Sequence, residues 1–289
     1  MKKQKMSKRF FLFFVFTFLA FVLFSCVKKI PEKIEWNRSL EEGFKFAKKE
    51  KKKLLVDFYR KDCKWCKRLD DSTFTDRDVI SLSLDFVFVK IDAKKDSLLV
   101  EEYKVSAYPT VILLKSSGEE IERIVGYLSP REFFKNVKSY LLGRGTLADL
   151  EKKLKKDSTD VVLLLKIGEK YMDRKRYDEA KRLLRKINDL DSKNYWGKTD
   201  SALFNLAYIH YREKEYKDAM VKFQSFSKDF PESGLRLDAE EYIPYIYEKM
   251  GDTTKALKLY EEFLKEHPKI KESEREWVEK RIKKLKEKN

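Results

Sequence analysis

Cys63 and Cys66 enclose Lys64 and Trp65 directly after the apolar run LLVDFY at 54–59. A strand followed by CxxC at the mouth of a helix is suited to thiol–disulfide exchange. One helical turn separates the two sulfurs, so they share a face and can reach each other. The thiolate is the attacking species, and a free thiol with a pKa near roughly 8.5 is mostly protonated at neutral pH. Unpaired backbone N–H groups where a helix begins favour the anion. Lys61, Lys64 and Lys67 add positive charge and Asp62 opposes it, so the sequence predicts a depressed pKa for Cys63. In such a pair the first cysteine attacks a disulfide and the second, Cys66, resolves the mixed disulfide. Asp57 interrupts the apolar run, and a carboxylate there is costly unless it is paired or used. Trp65 is expected to be exposed beside the thiols, as a substrate contact or as plain surface packing.

Other readings of the CxxC stay open at this point. It could be half of a zinc site, although the two histidines, His210 and His267, lie far along the chain. No metal and no cofactor is expected. It could be a structural disulfide, or belong to a domain without redox activity.

The elements around the pair form an ordered series. Ser39-Leu-Glu-Glu42 is a capping-box pattern. Leu40, Phe44 and Ala47 after it have helical spacing. The runs at 54–59 and 86–92 read as strands covered on both faces. A helix continues from the CxxC to Asp71, another starts at Asp76, and 97–103 is helical. TVILL at 110–114 and the segment 121–127 flank a Ser-Ser-Gly turn and read as a hairpin. Pro130 starts a last amphipathic helix through Leu141.

Residues 34–143 resemble a thioredoxin-like domain. They are similar to the reductase module that ends the bacterial transmembrane thiol carrier of the Dsb system. The residues carrying the resemblance are Val56-Asp57-Phe58-Tyr59, Cys63 to Cys66 followed by Lys67, Thr73-Phe74, Val89-Lys-Ile-Asp92 and Tyr108-Pro109-Thr110. The resemblance implies a central mixed sheet flanked by helices. It implies that Cys63, Cys66, Asp57 and Pro109 form the catalytic set, with Asp57 under Cys66 relaying its proton. It also implies a cis Tyr108–Pro109 bond facing the CxxC, with Trp65, Tyr108 and Thr110 contacting an extended substrate. Thioredoxin itself carries Trp before the first cysteine and Gly-Pro between the two; here Asp62 and Lys64-Trp65 stand there.

Ahead of this domain, Lys2, Lys3, Lys5, Lys8 and Arg9 precede an uncharged, mostly Phe, Leu and Val stretch that ends at Ser25-Cys26. This reads as a secretory signal. Leu23-Phe24-Ser25-Cys26 resembles a bacterial lipobox, which implies lipidation of Cys26 after removal of 1–25, with 26–33 as a tether. The alternative is an uncleaved transmembrane anchor, because 10–27 is at the lower limit for crossing a bilayer. Either way the positive flank stays inside and the rest lies outside the cytoplasmic membrane. The chain has 289 residues, is 39% charged with a formal net charge of +16, and has only 9 glycines and 6 prolines. That composition points to a helix-rich globular protein. The excess charge reads as solvated lysine-rich helix faces, or as attraction to anionic lipid or acidic partners. No nucleic-acid partner is expected, since no zinc finger or RNA-binding aromatic motif is present.

From 147 to 289 the sequence looks all-helical, with segments at about 161–199, 200–236 and 237–270 that align with one another. Their alanines, Ala180, Ala219 and Ala256, follow Lys175-Arg-Tyr, Lys214-Glu-Tyr and Gly251-Asp-Thr-Thr turns. The segments resemble tetratricopeptide repeats and imply an all-α helical repeat domain after the α/β one. Pro244 should kink or shorten its helix. Residues 273–288 should form a capping helix. The aromatic residues read as packing, or Tyr195, Trp196, Tyr208 and Tyr211 line a concave protein-binding surface. His210 reads as a core residue and not a ligand.

These observations together point to a membrane-anchored, extracytoplasmic thiol–disulfide oxidoreductase acting on protein disulfides. Electrons would come from a membrane thiol carrier, and the repeats would recruit a protein partner. The rival expectation is an envelope assembly scaffold in which the repeats do the work and the thioredoxin-like fold docks.

Overall fold

The computed structural model describes residues 29–287. The expected signal segment and the lipidation site Cys26 lie outside the described residues. No helix among the described residues is long and apolar enough to cross a membrane. Contacts divide the chain into two units. One runs to Asp96 and resumes over Tyr108–Leu141; the other takes Ser97–Ala107 and everything from Leu142 onward.

The first unit is built on a five-stranded mixed sheet. A short strand β1 (Trp36–Asn37), which the sequence did not reveal, pairs in parallel with β3 (Phe86–Asp92). β2 (Lys53–Tyr59) is the apolar run that precedes the CxxC, and it pairs in parallel with β3. Its register sets Val56 against Val89 and Asp57 against Lys90. On its other side β2 meets β4 (Thr110–Leu114) antiparallel, and β5 (Glu120–Val125) closes the hairpin. The spatial order is β1-β3-β2-β4-β5. β2 and β4 are therefore interior strands, which is why their sequences are apolar on both faces.

Helix α1 (Leu40–Glu50) begins where the Ser39 hydroxyl accepts the Glu42 N–H at 3.3 Å, as the capping pattern predicts. It lies so close to the sheet that a Cβ on Gly43 would stand 2.5 Å from a Val89 methyl. After β2, helix α2 (Lys64–Arg68) passes into a π-helical turn (Leu69–Thr73). Asp76 then caps α3 (Arg77–Ser81) through the N–H groups of Asp78 and Val79. α4 (Ser97–Glu102) follows β3, and α5 (Pro130–Leu141) follows β5. Leu55, Phe74, Phe88, Val111, Leu113, Phe133 and Val137 form the core of this unit.

The second unit continues with α6 (Leu147–Leu154) and then helix pairs. These are α7 (Val161–Asp173) with α8 (Tyr177–Leu190), α9 (Thr199–Arg212) with α10 (Tyr216–Asp229), and α11 (Arg236–Met250) with α12 (Thr253–Glu266). The equivalent turns inside the pairs each place one residue in the left-handed region: Lys175, Lys214 and Gly251. The alanine that follows each turn is fully buried, which allows the paired helices to approach closely. α13 (Glu272–Lys286) ends the described chain and packs Val278 and Leu285 inward. Of the expectation that Pro244 kinks or shortens its helix, the shortening is corrected: α11 runs on through Pro244 to Met250. Proline removes a single amide donor, and the buried contacts of Ala239 and Ile246 on either side hold the remaining turns.

Candidate functional site

The end of β2 and the start of α2 bring the cysteines together. Cys63 is the N-cap of α2 with an extended backbone, and its sulfur accepts the N–H of Cys66 at 3.0 Å. Cys63 is half-buried, whereas Cys66 is buried on the inner face of the helix. The two sulfurs are bonded at 2.29 Å, with the α-carbons 5.2 Å apart. Cys63 Sγ also lies 3.6 Å from the backbone carbonyl oxygen of Tyr108, and the Tyr108–Pro109 peptide is cis. The Pro109 carbonyl accepts the Gly126 N–H at 2.8 Å, which ties this loop to the end of β5.

Charges near the pair are arranged more tightly than the sequence suggests. Asp62 is clasped by Arg60, with contacts of 2.6 and 3.1 Å, and Lys94 approaches to 3.5 Å. The Arg60 bond holds the Asp62 carboxyl down at about 2. Its charge is therefore largely answered by its neighbours. The Arg60 guanidinium also stands 5.7 Å from the Tyr108 ring centroid.

Trp65 is 50% exposed, as expected, and stacks on Tyr127 with centroids 5.8 Å apart. Arg68 covers both rings, at 5.7 Å from Trp65 and 5.0 Å from Tyr127. Thr110 requires a correction. Its residue is fully buried, because β4 is an interior strand with Phe58 on one side and Val125 on the other. Its side chain is not available to a substrate.

The four aromatic residues named for a concave surface differ in burial. Tyr208 and Tyr211 are partly buried against Tyr242, at 5.8 and 5.5 Å between centroids. Tyr195 and Trp196 are 81% and 62% exposed on the loop after α8, where the Asp191 carboxylate accepts both of their backbone N–H groups. His210 is partly buried, with Nδ1 2.5 Å from a Glu215 oxygen.

A family model for a thioredoxin-like domain matches residues 40–140, and one for an outer membrane lipoprotein matches residues 197–278. Thioredoxin H3 of Arabidopsis thaliana is 38% identical over 85 residues, which are 29% of this chain and 69% of that protein. The chain belongs to the thioredoxin family. The thiol:disulfide interchange protein DsbD of Colwellia psychrerythraea is 30% identical over 107 residues, covering 35% of this chain and 18% of that protein. The chain thus spans less than a fifth of the length of that relative. Among solved structures, a DsbH oxidoreductase is similar at 19% identity and a TM-score of 0.35, over 41% of this chain and 94% of its own. A thioredoxin from Thermus thermophilus is similar at 24% identity and a TM-score of 0.34, over 37% and 86%.

Within this thioredoxin unit, the groups that sequence reasoning missed surround Asp57. Asp57 is 1% exposed, and Lys90 Nζ stands 3.4 Å from its Oδ2. Its Oδ1 has no hydrogen-bond partner among the described residues. Lys90 also pairs with Asp70 of the π-turn and is roofed by Trp36 and Tyr59, with centroids 4.8 and 5.0 Å from Nζ. Burial pushes the Asp57 carboxyl up to about 7; Lys90 opposes the rise and Asp70 adds to it. One signal was present in the sequence. A lysine inside the otherwise apolar FVFVKID run marks a buried charge that needs a partner.

Proposed function

We propose that this chain is an extracytoplasmic thiol–disulfide oxidoreductase that reduces disulfides of envelope proteins and uses its helical repeats to recruit a protein partner. The observation that carries the reading is the geometry of Cys63. Its half-buried sulfur accepts the Cys66 N–H and lies against the Tyr108–Pro109 loop, while the second sulfur is held in reserve behind it.

In the reduced chain the Cys66 N–H stabilises a Cys63 thiolate. The thiolate attacks one sulfur of the substrate disulfide, forming a mixed disulfide and expelling the other substrate sulfur as a thiolate. Cys66 then loses its proton and attacks Cys63. That forms the Cys63–Cys66 bond seen in the structure and releases the substrate as a dithiol, reduced by two electrons. Asp57 is the group we assign to take the Cys66 proton, because a carboxyl near 7 both accepts and returns a proton at neutral pH. Pro109 and Tyr108 present the loop against which an extended substrate strand lies, and Trp65 forms its outer wall. The pair is reset by a dithiol donor. Similarity to the DsbD module supports a membrane thiol carrier in that role.

Similarity to DsbD and to an outer membrane lipoprotein family supports an envelope location. We place the tether at Cys26, lipidated after removal of 1–25; an uncleaved anchor gives the same side of the membrane. The repeats, read as tetratricopeptide-like, supply the recruiting surface.

The test is a pair of single variants in the intact chain. Cys66→Ser should accumulate covalent complexes with envelope proteins that dissolve on reduction, and Cys63→Ser should form none. Complexes formed equally by both variants, or by neither, would sink the assignment of attacker and resolver. The lipoprotein match over 197–278 favours a second reading, an assembly scaffold with the thioredoxin unit as a docking module. It predicts that the double variant Cys63→Ser, Cys66→Ser keeps the cellular phenotype, whereas loss of 147–289 abolishes it.

A further inference from the structure

Within the repeat unit, α9, α11 and α13 line a half-open cleft of about 500 Å³ whose wall is formed by Phe204, Asp238, Glu241, Tyr242, Tyr245, Trp277 and Arg281. The four rings form an edge-to-face chain. Centroids are 6.0 Å apart from Phe204 to Tyr242, 6.3 Å from Tyr242 to Tyr245 and 5.8 Å from Tyr245 to Trp277. The wall already holds one cation of the chain's own. The Arg281 guanidinium stands 4.8 Å from the Tyr245 centroid and 4.9 Å from that of Trp277, and it donates to Glu248 at 3.0 Å. The carboxylates of Asp238, at the exposed rim, and of the half-buried Glu241, three positions apart on one face of α11, make no ion pair or side-chain hydrogen bond among the described residues.

This combination favours one kind of guest. Aromatic faces attract cations, most strongly where water is partly excluded. A half-buried carboxylate such as that of Glu241 costs free energy until a positive group answers it. The chain as a whole has a net charge of +16, so an acidic recess is a local inversion of its surface. We infer that this cleft is a receptor for the arginine or lysine side chain of a partner polypeptide, with Asp238 and Glu241 pairing the cation and the ring chain covering its apolar stem. The inference rests on the reading of the repeats as a recruiting surface and names the chemistry of what they recruit.

Charge state sets a pH dependence. Burial, with Asp238 and Glu274 nearby, pushes Glu241 up to about 7 against the opposing pull of Arg281. Burial and Glu274 also raise Asp238, against Lys271. Deprotonation of Glu241 completes the site, so binding should strengthen as pH rises through about 7.

The experiment uses the full chain labelled with 5-fluorotryptophan, its Trp277 signal assigned by Trp277→Phe. The probes are a five-residue peptide with a central arginine between glycines, the same peptide with central glutamine, and tetramethylammonium chloride. The arginine peptide should shift the Trp277 signal saturably, more tightly at pH 8 than at pH 6. Affinity should fall at least tenfold in the double variant Asp238→Asn, Glu241→Gln. That variant relieves like-charge crowding and should melt no lower than the parent, so a folding defect will not mimic the loss. No saturable shift at millimolar peptide, undiminished affinity in the double variant, or equal binding of the glutamine peptide overturns the proposal. Equal affinity for tetramethylammonium overturns the polypeptide source. The Cys63–Cys66 equilibrium with glutathione, measured on the same variant, should be unchanged. If an envelope protein still attaches to the repeats of the double variant with full affinity, this inference falls and the recruiting function stands.

Discussion

Asp57 is a single carboxyl with consequences at two levels. Its ordinary value is 3.8 and burial lifts it to about 7, so the folded chain holds the proton more tightly than the unfolded chain does. Stability gained from that proton is fully present below about pH 4, is lost as pH rises towards about 7, and changes no further above. At about 1.4 kcal/mol per pKa unit the whole effect is at most about 4 kcal/mol. Asp57→Asn keeps the shape and removes the titration. Urea unfolding should show it to be more stable than the parent at pH 8 by a few kcal/mol, with little difference at pH 4. A parallel pH dependence in the two proteins would contradict the buried-carboxyl account. Asp70 acts on the same group from a distance. It raises the Asp57 value and engages Lys90, so Asp70→Asn should lower the Asp57 pKa. Carboxyl-carbon NMR on the intact chain reads that shift directly; a value that stays put or rises would show that Asp70 is irrelevant. Resolution by Cys66 should then reach its plateau at lower pH.

Elements set where these residues stand. The alternation of the sheet puts Leu55 and Phe88 on one face, so Asp57 and Lys90, two positions further along each strand, share it. Sequence periodicity shows that much once the two strands are known to be neighbours, but their register is a long-range fact that neither strand states alone. The same limit hid β1, whose two residues carry no periodic signal, and Asp70, which reaches Lys90 from the π-turn that follows α2. The cysteine pair was legible because strand, cap and helix are contiguous in sequence. Thr110 was misread because a motif adjacent to a proline loop says nothing about which residue the sheet swallows. At Gly43 the close approach of α1 decides the residue. Alanine improves helix propensity by about 1 kcal/mol, but its methyl would meet Val89 at 2.5 Å. Overpacking costs roughly 1–3 kcal/mol. Gly43→Ala should therefore lower the denaturation midpoint of this unit, and a raised midpoint would show that the helix moves away freely.

At the scale of the whole molecule, each unit buries its own core: Leu55, Phe88 and Phe133 in one, Phe223, Phe226 and Tyr260 in the other. Phe223 is fully buried and stacks on Tyr242 with centroids 4.8 Å apart. Phe223→Ala should cost about 3–5 kcal/mol of repeat stability. Calorimetry should show a lowered transition, while the exchange of Cys63 with a small disulfide stays at the parental rate below that transition. A slowed exchange would mean that the repeats shape the redox pair itself. The helical repeats were readable from self-similarity, since each turn and its buried alanine recur in order. The cleft between α9, α11 and α13 was not, because it combines residues from separate repeats. The account stands most directly on which sulfur reacts first. The measurement is peptide mapping of the fully reduced intact chain during reaction with glutathione disulfide. Glutathione should appear transiently on Cys63, then leave as the Cys63–Cys66 bond forms. Glutathione found first on Cys66, or retained on Cys63 without closure, would contradict it.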